Sequence, residues 1–174
     1  MTALAVRDAL IEAFDLETDI KWPNDIIADE RKLCGILAET VETETGRAAI
    51  VGIGINLDDG AVPPELEGIA ASIATLIGRS ADAEMLLPSL IRAIEQRYET
   101  LQAAGGEVET ISEWSLNSSY AQGRRVRVAL TEETFEGITR GLEPDGALRV
   151  ETEQGKIRIV RAGDITNLRA SVGT

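Results

Sequence analysis

The chain has 174 residues, a length that suits one or two domains, and its 30 acidic and 17 basic residues give a net charge of -13. This negative field disfavours binding along a nucleic-acid backbone, and a sequence without histidine excludes imidazole catalysis and histidine-ligated metal sites. The single cysteine, Cys34, excludes an intrachain disulfide and a cysteine-cluster zinc site, and it fits a reducing cytoplasm.

No stretch of the sequence reaches the ~18 uninterrupted apolar residues that a membrane helix needs. The opening residues, Met1 to Leu4, lack the charged and apolar regions of a signal peptide. We therefore expect a cytoplasmic protein that has neither a membrane segment nor a nucleic-acid partner.

The first part of the chain predicts a helix followed by strands of a mainly antiparallel sheet. Apolar residues at helical spacing predict an amphipathic helix over 3–14. Short apolar runs predict a strand at 20–22, a buried strand at 32–40 and a returning strand at 48–57. The polar residues 42–47 predict the turn that joins the last two strands into a hairpin.

A loop and three helices are predicted next. The acidic, proline-containing segment 58–68 predicts a loop, and 70–77 predicts a short helix. The longest helical pattern covers 83–104 and stops at a glycine pair, and 108–116 is a further helix candidate. The long helix carries one apolar stripe that we expect to face the core, made of Leu86, Leu87, Leu90, Ile91, Ile94, Tyr98 and Leu101.

The hydrophobic pattern of the sequence changes after Gly123. Short alternating runs occupy 124–130, 134–142, 146–152, 156–165 and 167–170. Five short strands separated by turns predict a small β-barrel. We place the domain boundary near 118–123, which gives domains over 1–120 and 121–174.

Lysine is scarce, because fourteen of the basic residues are arginines and only Lys21, Lys32 and Lys156 are lysines. The first two lie close together in the sequence, on either side of a Trp-Pro-Asn-Asp turn. A lysine used only to solubilise the surface would be spread along the chain. The clustering therefore draws attention to residues 21–37.

Residues 21–25 read KWPND, in which proline fixes φ and the Asn and Asp side chains form turns by bonding to the backbone. Two interpretations are open. The segment is either a strand that ends in a tight turn, or one wall of a cleft. In a cleft, Asn24 and Asp25 orient a nucleotide or hold a hydrated metal, while Lys21 meets a phosphate or pairs with a carboxylate.

Lys32 opens the apolar run that contains Cys34. A lysine at a strand start can hold a cation where negative charge develops during a reaction. The competing interpretation is an edge lysine that discourages sheet aggregation. Cys34 is predicted to be a core thiol.

Glycines interrupt both predicted hairpin strands, at Gly35, Gly52 and Gly54. Glycine within a strand marks a bulge or a close approach of another backbone or ligand. The sequence GIGIN lacks the third glycine of a dinucleotide fingerprint and leads into a loop. Asn56 ends that strand, where its amide can read a base edge or cap a turn.

The segments KWPNDI (21–26), RKLCGILAE (31–39) and VGIGINL (51–57), with these gaps, resemble the central catalytic region of biotin protein ligases. That family has KWPND, then K-x-x-GIL-x-E, then a glycine-containing strand that ends in G-I-N. The stretch 123–169 resembles the family's small C-terminal domain, so the resemblance runs from Leu4 to Arg169. It implies an α+β fold: a class II synthetase-like core with a mixed or antiparallel sheet, incomplete here, followed by an SH3-like β-barrel.

The resemblance also implies a reaction and its residues. Biotin and ATP, accompanied by Mg²⁺, give biotinyl-5′-AMP, and the biotinyl group then passes to a lysine of a biotin carboxyl carrier domain. Lys32 matches the essential lysine that contacts biotin and the phosphate linkage, and Gly35 and Ile36 match positions beside biotin. No metal site built from protein side chains is implied. The positions that match the nucleotide side are Lys21, Trp22, Asn24, Asp25 and Asn56.

The sequence also departs from the family pattern. Family members usually carry a preceding segment with a Ser/Thr-rich biotin-contacting stretch and an arginine-rich loop, G-R-G-R-x-G-R-x-W, which folds over the adenylate. Neither occurs in this sequence. We therefore expect little or no turnover from this chain alone.

Three readings follow from this departure. The chain is part of a ligase, or one half of a split enzyme whose N-terminal half is a separate chain, or a noncatalytic module that binds biotin, nucleotide or a carrier domain. Exposed sheet edge in an incomplete core also predicts a homodimer.

Overall fold

The computed structural model describes residues 1–44 and 46–168, and the side chain of residue 59 is not described. The chain divides into two compact units. The first unit contains Met1–Ile20 and Asn24–Glu99. The second contains Lys21–Pro23 and the chain from Thr100 onward.

The first unit begins with helix α1 (Thr2–Phe14), as predicted from its spacing, and the helix ends where Asp15 adopts a left-handed conformation with φ 55°. Strands β1 (Asp19–Lys21), β2 (Asp25–Ala28), β3 (Arg31–Thr43) and β4 (Gly46–Ile55) follow and pair in that order. The β2–β3 and β3–β4 pairs are both antiparallel, which confirms the predicted hairpin. Fully buried side chains in this unit include Leu4, Leu10, Ile20, Ile26, Leu33 and Ile73.

The β3–β4 hairpin is longer and less buried than predicted. The two strands stay in register from Cys34 opposite Ile55 to Thr43 opposite Gly46, so much of the segment predicted as a polar turn is strand. Burial is confined to the start of β3, and Leu37 beyond it is 63% exposed. The prediction of a buried strand over 32–40 is therefore wrong for its second half. There the strand continues, but the side chains on both of its faces are exposed.

Two 3-10 turns, Asp59–Ala61 and Pro64–Leu66, lie within the predicted loop after β4. Helix α2 (Ile73–Ile77) starts three residues later than predicted, because the Ser72 hydroxyl caps it by accepting the Thr75 N–H at 3.1 Å. Helix α3 (Ala83–Gln102) then matches the longest predicted helix closely.

Helix α3 buries a different face from the one predicted. Two ion pairs beside the buried face tie the helix to α1, Arg92–Glu12 at 2.5 Å and Arg97–Asp8 at 2.7 Å. The buried positions on α3 are Leu86, Ser89 and Ala93, whereas Leu87, Ile91 and Tyr98 from the predicted stripe are about half exposed. The buried positions 89 and 93 carry small side chains and lie four residues apart, on one face of the helix.

The second unit contains helix α4 (Gly106–Leu116) and a five-stranded antiparallel sheet. Its strands are β5 (Gln122–Ala129), β6 (Thr134–Leu142), β7 (Leu148–Thr152), β8 (Ile157–Val160) and β9 (Asp164–Asn167). They are ordered β8-β7-β6-β5-β9. Buried side chains from β5, β7 and β9 contribute to the core of this unit: Val126, Val128, Leu148, Val150 and Ile165.

The predicted number of C-terminal strands is confirmed, but the last two were misplaced. The predicted run 156–165 contains β8 and the start of β9, separated by a bend at Arg161–Ala162. The fifth strand lies at 164–167 rather than 167–170, and the predicted residues 169–174 lie outside the described part of the chain.

The compact units divide the chain elsewhere than at the predicted boundary of 120/121. Helix α4 groups with the C-terminal strands, where its Ile111 side chain lies 3.9 Å from the position of a Cβ added at Gly146. The predicted boundary therefore falls between α4 and β5, inside the second unit. Among residues 1–44 and 46–168, no helix has the length and apolar content to cross a membrane.

Replacing Gly137 with alanine is expected to destabilise the five-stranded sheet. A Cβ at this position on β6 would lie 2.5 Å from the Glu151 carbonyl oxygen and 2.6 Å from Cγ1 of Val150. Overpacking of this kind costs about 1–3 kcal/mol. Chemical denaturation should show the loss, whereas Gly68→Ala, whose added Cβ meets nothing within 4 Å, should leave the midpoint unchanged.

Candidate functional site

An ion pair between neighbouring strands forms the centre of the site. The Lys32 ammonium on β3 lies 2.7 Å from Oδ1 of Asp25 on β2, and the two side chains are 50% and 16% exposed respectively. The lysine therefore keeps access to solvent, while its carboxylate partner is largely enclosed. An opposite charge at this distance holds the ammonium in one place on the sheet.

A tight turn and a bulge create this pairing. Asp29 and Glu30 join β2 to β3, and both adopt positive φ, at 50° and 62°, as in a type I′ hairpin turn. Ile26 pairs with Cys34 but Ile27 pairs with Lys32, so one extra residue interrupts β3. The bulge re-aims the strand and brings Lys32 to the face that carries Gly35.

Glycine makes room for the lysine side chain. A Cβ added at Gly35 would lie 3.2 Å from both Cε and Nζ of Lys32 and 3.8 Å from Asp25 Oδ1. Across the sheet, Gly35 pairs with Asp25 on one side and with Gly54 on the other. Gly52, two residues before Gly54, lies on the same face. This row of bare backbone is the glycine floor, defined as Gly35, Gly52 and Gly54.

Two grooves adjoin Lys32, and their walls come from the first unit. One, of about 470 Å³, lies over the glycine floor and has Asn24, Asp25, Ile36, Leu37 and Ile53 as its other lining residues. The second, of about 370 Å³, continues past Asn56 to the 3-10 segment around Pro63 and Leu66. A cation beside concave, mostly uncharged walls can receive a small anionic ligand.

Asn24 fastens the KWPND turn to β3. Its Nδ2 donates to the Ile36 carbonyl at 2.5 Å, and its own carbonyl accepts the Ile36 N–H at 2.9 Å. The Ile36 side chain is buried, so this predicted site residue offers its backbone rather than its side chain to the turn. The pair of hydrogen bonds fixes the residue that immediately precedes Asp25.

Asn56 plays a similar part at the end of β4. Its Nδ2 donates to the Ala71 carbonyl at 3.0 Å, and its backbone N–H donates to the Leu33 carbonyl at 3.0 Å. Lys32 is held on the same side, because its backbone N–H donates to the Ile69 carbonyl and its carbonyl accepts the Ala71 N–H. The backbone of the lysine is therefore fixed while its side chain remains half exposed.

Two of the predicted site residues make their contacts within the second unit. The Lys21 ammonium lies 3.5 Å from Oδ1 of Asp164, and it is only 18% exposed. Trp22 is 4% exposed, and its indole N–H donates to the Gly146 carbonyl at 3.0 Å. The KWPND motif is thus divided, with Asn24 and Asp25 beside Lys32 and with Lys21 and Trp22 attached to the C-terminal strands.

Cys34 is buried, as predicted for a core thiol. Burial, and after it the carboxylate of Asp25, raise the pKa of its thiol to about 12, while the ammonium of Lys32 acts in the opposite direction. Among the residues that the structure describes, no group of three or more Cys, Asp or Glu side chains is placed to hold a metal ion.

Sequence reasoning missed β2 and the Asp25–Lys32 ion pair. The apolar residues Ile26 to Ala28 were a signal for a strand, but the run is short. The Asp29-Glu30 turn lacks the Asn-Gly or Asp-Gly signature of a two-residue hairpin, and a seven-residue spacing does not reveal a bulge.

Two family profiles match the chain. Residues 3–56 match the Biotin/lipoate A/B protein ligase family, and residues 122–166 match the Biotin protein ligase C terminal domain. A biotin–[acetyl-CoA-carboxylase] ligase from Paracoccus denitrificans is 30% identical over 172 residues, which cover 95% of this chain and 70% of that relative. The chain belongs to the biotin protein ligase family.

Other biotin protein ligases agree with this assignment. The bifunctional ligase/repressor BirA of Bacillus subtilis is 34% identical over 170 residues, or 95% of this chain and 51% of that protein. The chain therefore spans about half the length of this relative. The structure of an Aquifex aeolicus biotin protein ligase in complex with biotin and ATP aligns with a TM-score of 0.79 at 27% identity, covering 97% of this chain and 69% of that one. The predicted α+β fold class with an SH3-like C-terminal domain is confirmed.

The thiol of Cys34 is expected to resist alkylation while the protein is folded. The reactive thiolate forms near the ordinary pKa in an unfolded chain, but only near pH 12 in the folded protein. Because the folded state holds its proton more tightly, the stability contributed by this group should fall as the pH rises above about 9.

A thiol-reactive chromophore at pH ~8.5 gives a direct measurement, since the chain has a single cysteine. Reaction should be slow in buffer and rapid and stoichiometric in denaturant. Equal rates in the two conditions would show that the region around β3 opens readily.

Proposed function

We propose that this chain supplies the lysine-bearing part of a biotin protein ligase site. The proposed reaction is ATP-dependent formation of biotinyl-5′-AMP, followed by transfer of biotin to a lysine of a biotin carboxyl carrier protein. The observation that carries the proposal is the half-exposed Lys32 ammonium, held by Asp25 above the bare backbone of Gly35.

In the first step, a carboxylate oxygen of biotin bonds to the α-phosphorus of ATP, and the bond from that phosphorus to the pyrophosphate oxygen breaks. Negative charge from the carboxylate and the phosphate meets at the bond that forms. A lysine ammonium is a compact point charge, and a fixed cation at this place lowers the energy of the transition state. Lys32 is proposed as the catalytic residue in this role.

The glycine floor is proposed to receive biotin. A groove of about 470 Å³ lies over Gly35, Gly52 and Gly54, where a ring system can approach the backbone closely. Ile36 is proposed to contribute through its backbone position beside that floor, since its side chain is buried. The related Aquifex ligase, described in complex with biotin and ATP, supports these two substrates.

The nucleotide is proposed to lie near Asn24, Asp25 and Asn56. The side-chain nitrogens of both asparagines donate to backbone carbonyls, so their amide oxygens are the atoms proposed to accept hydrogen bonds from ATP. Lys21 and Trp22 were also matched to the nucleotide side, but Asp164 and Gly146 engage their polar atoms. We propose an indirect part for these two residues.

In the second step, the amine nitrogen of the carrier lysine bonds to the acyl carbon of biotinyl-5′-AMP. The bond from that carbon to the phosphate oxygen breaks, AMP leaves with the electron pair, and the amine loses a proton to solvent. Lys32 is placed to stabilise the departing phosphate as its charge grows. The proposed partner is therefore a biotin carboxyl carrier domain.

Magnesium is proposed to arrive as Mg-ATP rather than as a metal resident in the protein. The described part of the chain offers no cluster of acidic or cysteine ligands, and the carboxylate of Asp25 is paired with Lys32. Mg²⁺ keeps several waters and binds through substrate phosphates with few protein ligands, so it does not need such a cluster.

Full activity is proposed to require polypeptide that carries the arginine-rich loop of the family, either in the same chain or as a separate one. Apolar side chains on the β3–β4 hairpin are exposed, at 63% for Leu37 and 58% for Ile50, and further polypeptide or a second copy of the chain would cover them. We also propose a cytoplasmic location, which fits the single reduced thiol of Cys34.

Substituting Lys32 with alanine is expected to abolish biotin transfer, with a loss of at least ~100-fold, because the charge at the reacting phosphate is no longer neutralised. The assay follows labelled biotin onto a purified carrier domain with Mg-ATP, with and without a polypeptide that carries the arginine-rich loop. Lys156→Ala is the matched control, since Lys156 is an exposed lysine in the turn between β7 and β8.

Undiminished transfer by the Lys32→Ala protein would refute the catalytic assignment. Absence of transfer from every folded preparation, together with retained binding of biotin or ATP, would instead favour a binding module over a ligase.

Replacing Gly35 with alanine is expected to lower transfer by about 10- to 100-fold without unfolding the protein. The added Cβ would force the end of the Lys32 side chain to move by a few tenths of an ångström and would fill part of the groove. Steady-state transfer and calorimetric biotin binding should both fall. Gly68→Ala serves as the control, and equal activity in the two variants would contradict a role for the glycine floor.

A further inference from the structure

We propose that Trp22 is a positioning residue, which acts by tying the turn that precedes Asp25 to the turn between β6 and β7. This inference rests on the proposed function for its effect on activity, but its structural content can be tested without any activity. The assignment differs from direct contact with the nucleotide, which the sequence motif implied for Trp22.

The anchor of Trp22 is buried and directional. The residue is 4% exposed, and its indole N–H has the Gly146 carbonyl as its partner at 3.0 Å. Indole has one donor and no acceptor, so a buried tryptophan of this kind can be satisfied by a single well-placed carbonyl. Loss of that bond would leave a buried polar group without compensation.

The carbonyl that receives this bond belongs to a rigid turn. Gly146 has φ +81°, which a residue with a side chain rarely adopts, and its N–H donates to the Glu143 carbonyl at 2.9 Å. The N–H of Glu143 donates in turn to the carbonyl of Ala147 at 2.8 Å. The turn therefore presents the Gly146 carbonyl in a fixed direction.

Asp145 braces the same turn. Its Oδ1 accepts the Ala147 N–H at 3.1 Å, and its Oδ2 lies 3.1 Å from the Arg161 guanidinium. The hydrogen bond from Ala147, and then the charge and hydrogen bond of Arg161, lower the pKa of this carboxyl, which therefore stays ionised across the neutral range. The β6–β7 turn is thus held from two sides.

A second tether acts on the neighbouring residue. Lys21 is 18% exposed, and its ammonium lies 3.5 Å from Asp164 at the start of β9. Two consecutive residues of the KWPND motif are therefore attached to two separate places in the second unit, the β6–β7 turn and the start of β9.

The chain between the anchor and the site is too short to absorb much movement. Only Pro23 and Asn24 separate Trp22 from Asp25, so the path is three residue steps, at most ~10 Å. Within it, Asn24 exchanges two hydrogen bonds with Ile36, and Asp25 then pairs with Lys32. Displacement of Trp22 would thus pass to the carboxylate that holds the lysine.

Hydrogen exchange of the Ile36 amide tests this coupling in the full chain. That amide donates to the Asn24 carbonyl, so it reports on the turn that precedes Asp25. Trp22→Phe, which keeps a ring but removes the donor, is expected to accelerate its exchange by about tenfold. The Asn56 and Ala71 amides, which donate to Leu33 and Lys32, should change little.

Trp114→Phe is the matched control, because Trp114 is the other tryptophan of the chain and is also buried in the second unit. It should leave exchange at Ile36 unchanged. Uniform acceleration of all three amides in Trp22→Phe, or none, would overturn the proposal. Should that variant fail to fold, Asp164→Asn, at a 71% exposed side chain, should give a smaller acceleration confined to Ile36, and none would count equally against it.

A double-mutant cycle in the biotin transfer assay gives the functional test. Trp22→Phe should slow transfer in the wild-type background but have no further effect when Asp25 is already asparagine, since it acts through that carboxylate. Additive losses would overturn the positioning role. A proposed function that fails altogether would show as no transfer from any variant, while the exchange result at Ile36 would still stand or fall alone.

Discussion

The ion pair between Lys32 and Asp25 is the interaction on which the site depends. It exists because a two-residue turn joins β2 to β3 and a bulge then interrupts β3. Together they bring Lys32 of β3 next to Asp25 of β2. Gly35 removes the one Cβ that would obstruct the lysine side chain. Hydrogen bonds on both flanks, from Asn24 and Asn56, fix the backbone around the pair, while the ammonium itself remains half exposed.

The residues of the KWPND motif fall in both compact units. The strands of the first unit supply the lysine, its carboxylate and the bare backbone beside them. The second unit holds Lys21 and Trp22, the first residues of the same five-residue motif. The KWPND motif looks like one binding element in the sequence, but its residues have different roles in the structure. Asn24 and Asp25 lie at the site, whereas Lys21 and Trp22 are anchored in the second unit.

Much of this architecture was accessible from the sequence, because long periodic elements carry their own signal. The helices α1, α3 and α4, the long hairpin and five C-terminal strands all followed from spacing. The features that the sequence did not predict depend on packing partners. They are the buried face of α3, the length of β3 that is buried, and the start of β9. Lys32 and Asp25 were each identified as site residues, but their pairing was not, since neither a bulge nor an Asp-Glu type I′ turn has a recognisable sequence signature.

The glycine floor also limits how the groove can change. Gly35, Gly52 and Gly54 already present the least volume that an amino acid can offer, so every substitution there adds atoms. Mutation can narrow the groove at its base but cannot deepen it. Acceptance of a bulkier ligand would have to come from the walls, where side chains such as Leu37 and Ile53 can be shortened.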